Sequence, residues 1–477
     1  MANYLAKIFK NHNFLSLANN GLVAVFGFFS FIILVRSVPT NEFGEWVLFI
    51  TTLNFLDMLR FGITRTAIVR FLSGADEEEG NELLGSNYVI NLSSTIFLIV
   101  IVIAANFFFK ESIQESGFSL FFKWFPFIAI LNLPFNNALS VLQAKMRFDR
   151  ILLIRIINVG SFMIFLIVNY FYFQSGILTI MWAYVLINTL SSIIAAMLNW
   201  DGLFFILKAN KQKSKIILNF GKYTSGTLIG TNLLKSADTF ILGLSPFLGV
   251  TGVALYSIPL KLTEIMEIPV RSFAMTAFPK MSKASIEGNK DLVKKIWYEN
   301  VGGLTLLLLP ILVVSFIFAE DFVTFIGGAE YSETANVFRI FCFYGLLLPF
   351  DRFTGIALDS VNKPKQNFIK VVYMTAANII GDTIVVFGLY YLILFVSVST
   401  LIFVGYSNPQ IITETASMFT MITVLELVAI ITIGFTIIGI FVGLYFLRKE
   451  LDIKLKFVFS SSLIFVGKFL KKRINGA

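Results

Sequence analysis

The residues with the clearest chemical potential are charged side chains inside long apolar stretches. Nine of them fall in or at the end of three such stretches: Asp57, Arg60, Arg65, Lys235, Asp238, Lys261, Glu264, Glu267 and Arg271. A charge near the centre of a bilayer costs at least about 2.5–3.5 kcal/mol, so it usually faces a wet cavity or a partner. Lysine and arginine bind phosphate, and arginine does so with paired hydrogen bonds. These residues are therefore candidates for binding a substrate inside a membrane.

The same charges are also spaced so that they could neutralise one another along single helices. Three pairs stand three residues apart and one stands four apart: Asp57/Arg60, Lys235/Asp238, Lys261/Glu264 and Glu267/Arg271. Side chains at these spacings are neighbours on one helix face. With five basic and four acidic members the set is nearly neutral. Structural ion pairs thus remain an alternative to substrate binding.

A second set of carboxylates consists of Asp351, Asp359, Asp382 and Glu426. A carboxylate isolated in a membrane can carry a coupling proton, because burial favours its neutral form. Asp382 and Glu426 fit best, because no basic residue lies within one helical turn of either. Asp351 is followed directly by Arg352 and could instead form an ion pair at a helix interface. The sequence predicts no cofactor, but coupling to a proton or sodium gradient.

The composition explains why these charges stand out. Of 477 residues, 57% are apolar and 14% are charged, against about 45–50% and 25% in soluble proteins. A soluble enzyme is excluded. The single cysteine, Cys342, and the single histidine, His12, rule out a disulfide framework, a cysteine-based metal site and a histidine catalytic dyad.

The apolar stretches predict an all-α integral membrane protein with about twelve transmembrane helices, because each crossing needs roughly 20 mainly apolar residues. The predicted spans are 16–35, 43–61, 86–109, 118–140, 151–173, 177–200, 218–243, 247–276, 299–319, 335–359, 368–396 and 416–447. Residues 1–15 should contain a short amphipathic helix on the membrane surface. The basic segment 451–477 is expected to be interfacial, with a thirteenth span as the alternative.

The basic residues support this division of the chain. With the amino terminus in the cytoplasm, 30 of the 38 lysines and arginines fall in the terminal segments, alternate loops and adjoining span ends that would face the cytoplasm. Cytoplasmic loops carry such an excess of basic residues. An error of one span would destroy the alternation. We therefore predict that both ends lie in the cytoplasm, and that the net charge of +9 reports mainly orientation.

The loops exclude several functional classes. They are too short to hold a soluble domain, and the sequence has no GxxxxGK[ST] phosphate loop, nucleophile elbow or HExxH zinc motif. A membrane glycosyltransferase or polysaccharide polymerase would usually need a large external catalytic loop. The sequence therefore indicates a carrier, channel or flippase rather than an enzyme, with no role for nucleic acid.

An internal repeat with a shift of about 207 residues relates the two halves of the chain. Asp57 aligns with Glu264, and Arg65 lies near Arg271. Because each half has six predicted spans, the repeats would be related by an axis along the membrane normal. This predicts an N-lobe of residues 16–210 and a C-lobe of residues 211–450.

The sequence also resembles a known family. The stretch 218–282 is similar to the seventh and eighth helices of the polysaccharide transporter family, through Asp238, Leu242-Gly243, Gly252 with Tyr256, and Phe278-Pro279-Lys280. LQAKMRFDR after span 4 and GGAEYSETANVFRI before span 10 add to the resemblance. That family contains the O-antigen and capsule repeat-unit flippases of the multidrug/oligosaccharidyl-lipid/polysaccharide (MOP) superfamily. The polar segment 397–415 departs from its pattern.

The resemblance implies a fold and a function. It implies two six-helix lobes around a V-shaped central cavity, lined by spans 1, 2, 7 and 8, and alternating access. The implied substrate is an oligosaccharide repeat unit on undecaprenyl diphosphate, moved across the bacterial inner membrane for O-antigen, capsule or exopolysaccharide synthesis. The implied partners are membrane lipids, a polymerase and other assembly proteins, with the protein itself acting as a monomer.

Three alternatives stay open at the level of the sequence. A multidrug or cation antiporter of the same superfamily should have a net acidic cavity, which the near-neutral set of charges does not favour. A lipid II flippase usually has two further spans at its carboxyl end. A membrane polymerase would need the external loop that is missing.

Overall fold

A computed structural model describes residues 12–404 and 409–458, and within these ranges all regular structure is helical. The predicted surface helix falls mostly outside the described residues, as does most of the tail 451–477. The polar segment 397–415 is described in part. The main helices are α1 His12–Ser37, α2 Thr40–Leu72, α3 Glu77–Phe108, α4 Ser119–Leu131, α5 Leu133–Ala144, α6 Phe148–Arg155, α7 Ile177–Met197, α8 Lys211–Leu244, α9 Gly249–Ile286, α10 Lys290–Ile317, α11 Ala335–Ser360, α12 Pro364–Thr383, α13 Tyr390–Val404 and α14 Pro409–Leu451.

Short π-helical and 3₁₀ segments extend or connect these helices. The π-helical turns Ile156–Gly160 and Asn169–Phe173, with Ser161–Val168 between them, continue α6 to Phe173. A third π-helical segment, Ile384–Leu389, joins α12 to α13. The 3₁₀ segments are Leu203–Lys208 and Ala329–Thr334, and two short α-helices span Lys110–Glu115 and Ala319–Gly327.

Nine helical stretches among the described residues are long and apolar enough to cross a membrane. A tenth is the pair α4 and α5, which bends by 50° at Asn132, just before Pro134 in the first turn of α5. Helices α8 and α9 are 34 and 38 residues long but carry more charge. The prediction of an all-helical, multi-pass membrane protein is confirmed. The two six-helix lobes stay a prediction.

Helix ends follow the chemistry of the sequence. Asp76 caps α3 by accepting a hydrogen bond from the Glu79 backbone N–H at 2.8 Å, and acidic residues follow in the first turn. Both features stabilise a helix amino terminus, where backbone N–H groups lack partners and the helix dipole is positive. The acidic residues 76–79 thus stabilise the amino terminus of α3.

The chain divides into two compact units. Unit 1 comprises residues 1–232 with 249–254, and unit 2 comprises residues 233–248 with 255–477. In unit 1, the 3₁₀ segment Leu203–Lys208 lies against α3. A Cβ atom on Gly85 would lie 2.1 Å from the Phe205 carbonyl oxygen, so only glycine permits this approach. The Ser86 hydroxyl and the Asn210 backbone bond to each other beside it.

Unit 2 packs its central helix α11 against α10 and α14, and α12 against α14. Glycines again permit close approach: a Cβ on Gly439 of α14 would meet the Met374 sulfur at 2.3 Å. The Tyr298 hydroxyl bonds to both the backbone N–H and the carbonyl of Lys454. The close approach at Gly439 holds α12 against α14, and the Tyr298 hydrogen bonds tie α10 to the segment that follows α14.

Candidate functional site

In unit 1, the buried Arg60 forms an ion pair with the partly exposed Asp57 on α2. The Arg60 guanidinium donates to Asp57 Oδ1 at 2.8 and 2.5 Å. It also donates to the Ala129 carbonyl at 2.6 Å and to the Thr95 hydroxyl at 3.3 Å. Arg60 is 1% exposed and lies over the ring of Phe61. Four hydrogen bonds therefore engage its guanidinium inside the helix bundle.

Asp57 also borders a cavity of unit 1 with a volume of about 590 Å³. Its second oxygen, Oδ2, accepts a hydrogen bond from the Asn136 side chain at 3.3 Å. Arg65 is exposed two turns further along α2 and lines the same cavity. The remaining lining residues are Asn54, Met58, Phe61, Gly62, Thr66, Val69, Asn136, Gln143, Leu228 and Asn232. Of the unit 1 candidates, Asp57 and Arg65 therefore line the cavity, whereas Arg60 lies behind them.

In unit 2, α8 and α9 carry a connected group of partly exposed charges. Glu267 lies 3.4 Å from the Lys235 ammonium and 3.3 Å from the Arg271 guanidinium. The Lys235 and Arg271 side chains are 58% and 47% exposed. Lys261 pairs with Glu264 at 2.8 Å. Three of the four locally spaced pairs therefore form, but Lys235 pairs with Glu267 instead of Asp238.

Asp238 has buried neutral partners from three other helices of unit 2. Tyr256 donates to its Oδ2 at 2.8 Å, and the Asn378 amide donates to its Oδ1 at 2.8 Å. The Thr432 hydroxyl lies 3.4 Å from Oδ2. Asp238 is 6% exposed. This cluster explains why Asp238 does not pair with Lys235.

Asp382 completes the cluster on α12, one turn after Asn378. It is 1% exposed, and both of its carboxylate oxygens are buried without a hydrogen-bond partner. Its carboxyl group lies next to that of Asp238 and interacts with it electrostatically. No basic side chain of the described residues forms an ion pair or hydrogen bond with either carboxylate. Two carboxyl groups thus share one buried place without a basic partner.

The other carboxylates proposed for ion coupling lie in different surroundings. Asp351 pairs with the Lys370 ammonium at 2.5 Å. Asp359 accepts a hydrogen bond from Asn367 at 2.9 Å. Glu426 is half-buried on α14, six residues before Thr432. Of the four candidates, Asp382 is therefore the one with a buried and unpaired carboxylate.

Several polar residues were missed by the sequence reasoning. Lys370 was not singled out, but it lies in α12, is 3% exposed and forms an ion pair with Asp351. Asn378 was missed as a partner of Asp238, although its spacing of four from Asp382 places both on one helix face. The asparagine and glutamine side chains that line the cavity of unit 1 were not predicted from the sequence. Neutral polar residues are not conspicuous in apolar stretches in the way that charged residues are. Within the described residues, no cluster of three or more histidine, cysteine or acidic residues suits a metal ion.

Long apolar helices with buried charges make the chain a multi-pass helical membrane protein, and its fold is like that of two solved structures. It is similar to an inward-facing multidrug resistance MATE family transporter, with a TM-score of 0.68 at 14% identity over 90% of this chain and 94% of that one. It is also similar to the lipid II flippase MurJ in an inward closed conformation. That match has a TM-score of 0.63 at 15% identity over 96% of this chain and 99% of that one.

The sequence comparison identifies the family. Residues 33–336 match the model of the polysaccharide biosynthesis protein family, and the chain belongs to that family. A relative from Haloferax volcanii, described as the probable low-salt glycan biosynthesis flippase Agl15, is 22% identical over 179 residues. That match spans 38% of this chain and 38% of the relative. The family resemblance seen in the sequence is confirmed.

Proposed function

We propose that the chain is a flippase for oligosaccharide repeat units linked to undecaprenyl diphosphate. It would move them from the cytoplasmic to the outer leaflet of a bacterial inner membrane by alternating access, for O-antigen, capsule or exopolysaccharide synthesis. Membership in the polysaccharide biosynthesis family supports a glycan substrate. The multi-pass helical fold supports transport.

The observation that carries the proposal is the arrangement of Lys235, Glu267 and Arg271. Two cations contact one carboxylate, so the trio has an excess positive charge within otherwise apolar helices. Both cationic head groups are about half exposed. A phosphate can bind there through charge-assisted hydrogen bonds, with the arginine binding two oxygens at once. Lys261 contributes less, because Glu264 already pairs with it.

A deletion strain complemented with variants tests this proposal. Lys235→Ala and Arg271→Ala should each reduce surface polysaccharide and cause undecaprenyl-linked repeat units to accumulate on the cytoplasmic side. Lys283→Ala is the matched control, because Lys283 lies on the same helix α9 and pairs with Glu287, the residue just after it, but is 80% exposed. All three proteins should reach the membrane in equal amounts.

Two results would contradict the flippase proposal. In the first, the deletion strain keeps its surface polysaccharide and accumulates no lipid-linked units. In the second, it becomes sensitive to cationic drugs while its polysaccharide is unchanged, which would favour the multidrug antiporter. If the strain shows the flippase phenotype but both variants work normally, the ion trio is structural.

We further propose that Asp238 and Asp382 hold the coupling ion. Two buried carboxylates in reach of each other need a positive charge, which a proton or a sodium ion can supply. The Asn378 and Thr432 side chains beside them add neutral oxygen atoms, and hard cations prefer oxygen ligands. Glu426, Asp359 and Asp351 are secondary candidates, since none adjoins this carboxylate pair.

Sodium dependence of thermal stability distinguishes the two ions. If sodium binds, the melting temperature of the purified protein should rise in NaCl relative to equimolar KCl, because a ligand of the native state stabilises it. Asp382→Asn should remove the rise and the export, whereas Asp359→Asn should change neither. Loss of export in Asp382→Asn without any sodium effect in the natural protein would identify a proton. Normal export in Asp382→Asn would contradict the coupling role.

A further inference from the structure

The cavity of unit 1 has a lining that the phosphate and ion sites do not use. Four carboxamides reach it from three helices: Asn54 on α2, Asn136 and Gln143 on α5, and Asn232 on α8. Its volume of about 590 Å³ lies within the usual range for small-molecule sites, about 300–1,000 Å³. Carboxamides at membrane depth are costly unless they meet water, a partner or a ligand.

Carboxamides suit the hydroxyl groups of a sugar. Each side-chain amide offers two donors and one acceptor and carries no charge. A ring of hydroxyls can therefore exchange hydrogen bonds with several amides at once, whatever the direction of each hydroxyl. The other walls are formed largely by apolar side chains, among them Met58, Val69 and Leu228, so the amides would fix the orientation of the sugar.

The charges of the cavity favour the same ligand over a small cation. The carboxylate that lines the cavity, Asp57, is already neutralised by Arg60. Its second oxygen, Oδ2, accepts a hydrogen bond from the Asn136 side chain. Asp57 thus remains an acceptor for hydroxyl groups without an excess negative charge. The exposed Arg65 on the same wall adds a positive charge, which repels cations and can bind an acidic sugar.

We propose that this cavity is the glycan-recognition subsite, with Asn54, Asn136, Gln143 and Asn232 as the residues that select the sugar. The assignment deepens the flippase proposal and rests on it. Gly62 leaves room for the sugar. A Cβ there would meet nothing closer than the Met58 side chain at 3.7 Å, so a larger side chain can extend into the cavity without a backbone clash.

The test measures binding of the lipid-free repeat-unit oligosaccharide, released by mild acid from the cell's own lipid-linked pool. The full-length protein is held in nanodiscs, and binding is followed by saturation-transfer difference NMR. The natural protein should bind this probe. Gln143→Ala and Asn232→Ala should each weaken binding about fivefold, as expected for one lost hydrogen bond. Gly62→Leu should abolish binding, and Gly62→Ala should retain it.

Asn300→Ala is the matched control for Asn232→Ala. Each asparagine donates to the carbonyl four residues earlier, at 2.8 Å for Asn300 and 2.9 Å for Asn232, but Asn300 lies on α10 and is not one of the lining residues of the cavity. The Asn300→Ala variant should bind the oligosaccharide as strongly as the natural protein does. The melting temperature of each variant separates loss of binding from loss of fold.

The outcomes separate this proposal from the flippase proposal. If the amide variants and Gly62→Leu bind like the natural protein, or if the natural protein binds no oligosaccharide, the cavity is not the glycan subsite. The flippase proposal still stands in that case if the deletion strain accumulates lipid-linked units. If the natural protein binds tetraphenylphosphonium but not the oligosaccharide, and no units accumulate, both proposals fail.

Discussion

The two units solve the problem of buried charge in opposite ways. In unit 1, a buried arginine pairs with a largely buried aspartate three residues away, and neutral groups accept the arginine's other hydrogen bonds. In unit 2, two buried aspartates adjoin each other with neutral partners around Asp238 and no partner for Asp382. The first arrangement is complete by itself. The second lacks one positive charge.

This difference separates structural charge from functional charge. Removing one member of a complete buried pair leaves an uncompensated charge, which strongly destabilises a protein. A carboxylate pair without a counter-charge is already uncompensated, so removing one carboxylate relieves the repulsion. Substitution of Arg60 should therefore lower the stability of the fold. Substitution of Asp382 should leave the stability unchanged or higher, although it removes export.

The largest effect is expected for Arg60→Ala, which leaves the largely buried Asp57 without its cation. The loss should be about 3–5 kcal/mol of unfolding free energy, visible as a large fall in melting temperature. The double variant Arg60→Met with Asp57→Asn should recover most of it, because no charge then remains unpaired. If Arg60→Ala melts like the natural protein but exports no polysaccharide, Arg60 contacts the substrate instead, as the sequence alone suggested.

A matched pair of substitutions at α11 and α12 should change stability with opposite signs. Asp351→Asn leaves the buried Lys370 unpaired and should destabilise by about 3 kcal/mol. Asp382→Asn removes an unpaired buried carboxylate and should leave the melting temperature in the absence of sodium unchanged or higher. Thermal unfolding of both variants in potassium buffer measures the difference. A fall of equal size in both would mean that Asp382 has a structural partner.

Asp201 provides a third buried carboxylate, outside the membrane-spanning helices. Its Oδ1 accepts a bond from the Leu203 backbone N–H, and Oδ2 has no partner. Burial raises its pKa above the ordinary value. At pH above the raised pKa its ionised form destabilises the fold, and this penalty disappears as pH falls through that pKa towards the unfolded value of about 3.9. Asp201→Asn should therefore stabilise by about 1 kcal/mol at pH 7, and the gain should shrink in acid. A gain that is constant with pH would exclude this cause.

The smallest effect is expected at the exposed pair Arg147 and Asp149. The two side chains are 43% and 48% exposed, and Arg147 donates two hydrogen bonds to Asp149. Exposed ion pairs contribute about 0–1 kcal/mol, so Arg147→Ala should scarcely change the melting temperature. If Arg147→Ala lowered the melting temperature as much as Arg60→Ala does, burial would not be the reason for the large effect at Arg60.

Much of the fold could be predicted because membranes impose simple rules. Long apolar stretches must be helical where the backbone lacks water, so the helices and their approximate limits follow from the sequence. The bend between α4 and α5 was not predicted, because it depends on local geometry at Asn132 and Pro134. The orientation of the chain and the internal repeat stay predictions.

The candidate sites could be predicted only where partners are near in sequence. Asp57 with Arg60, Lys261 with Glu264 and Glu267 with Arg271 pair as their spacing indicates. The Lys235–Glu267 contact joins residues 32 positions apart, and Asp238–Asn378 joins residues 140 apart. Spacing along one helix gives no information about such pairs, because they depend on which helices pack together.

The sequence by itself determined that this chain is a helical membrane protein, which residues carry charge inside it and which family it resembles. The tertiary structure decided which of those charges are compensated. It buried Arg60 against Asp57, paired Asp351 with Lys370, and placed Asp382 beside Asp238 without a cation. Charge and hydrophobicity are properties of single residues and short segments. The compensation of a buried charge depends on the atoms within a few ångströms of it, and most of these come from distant parts of the chain.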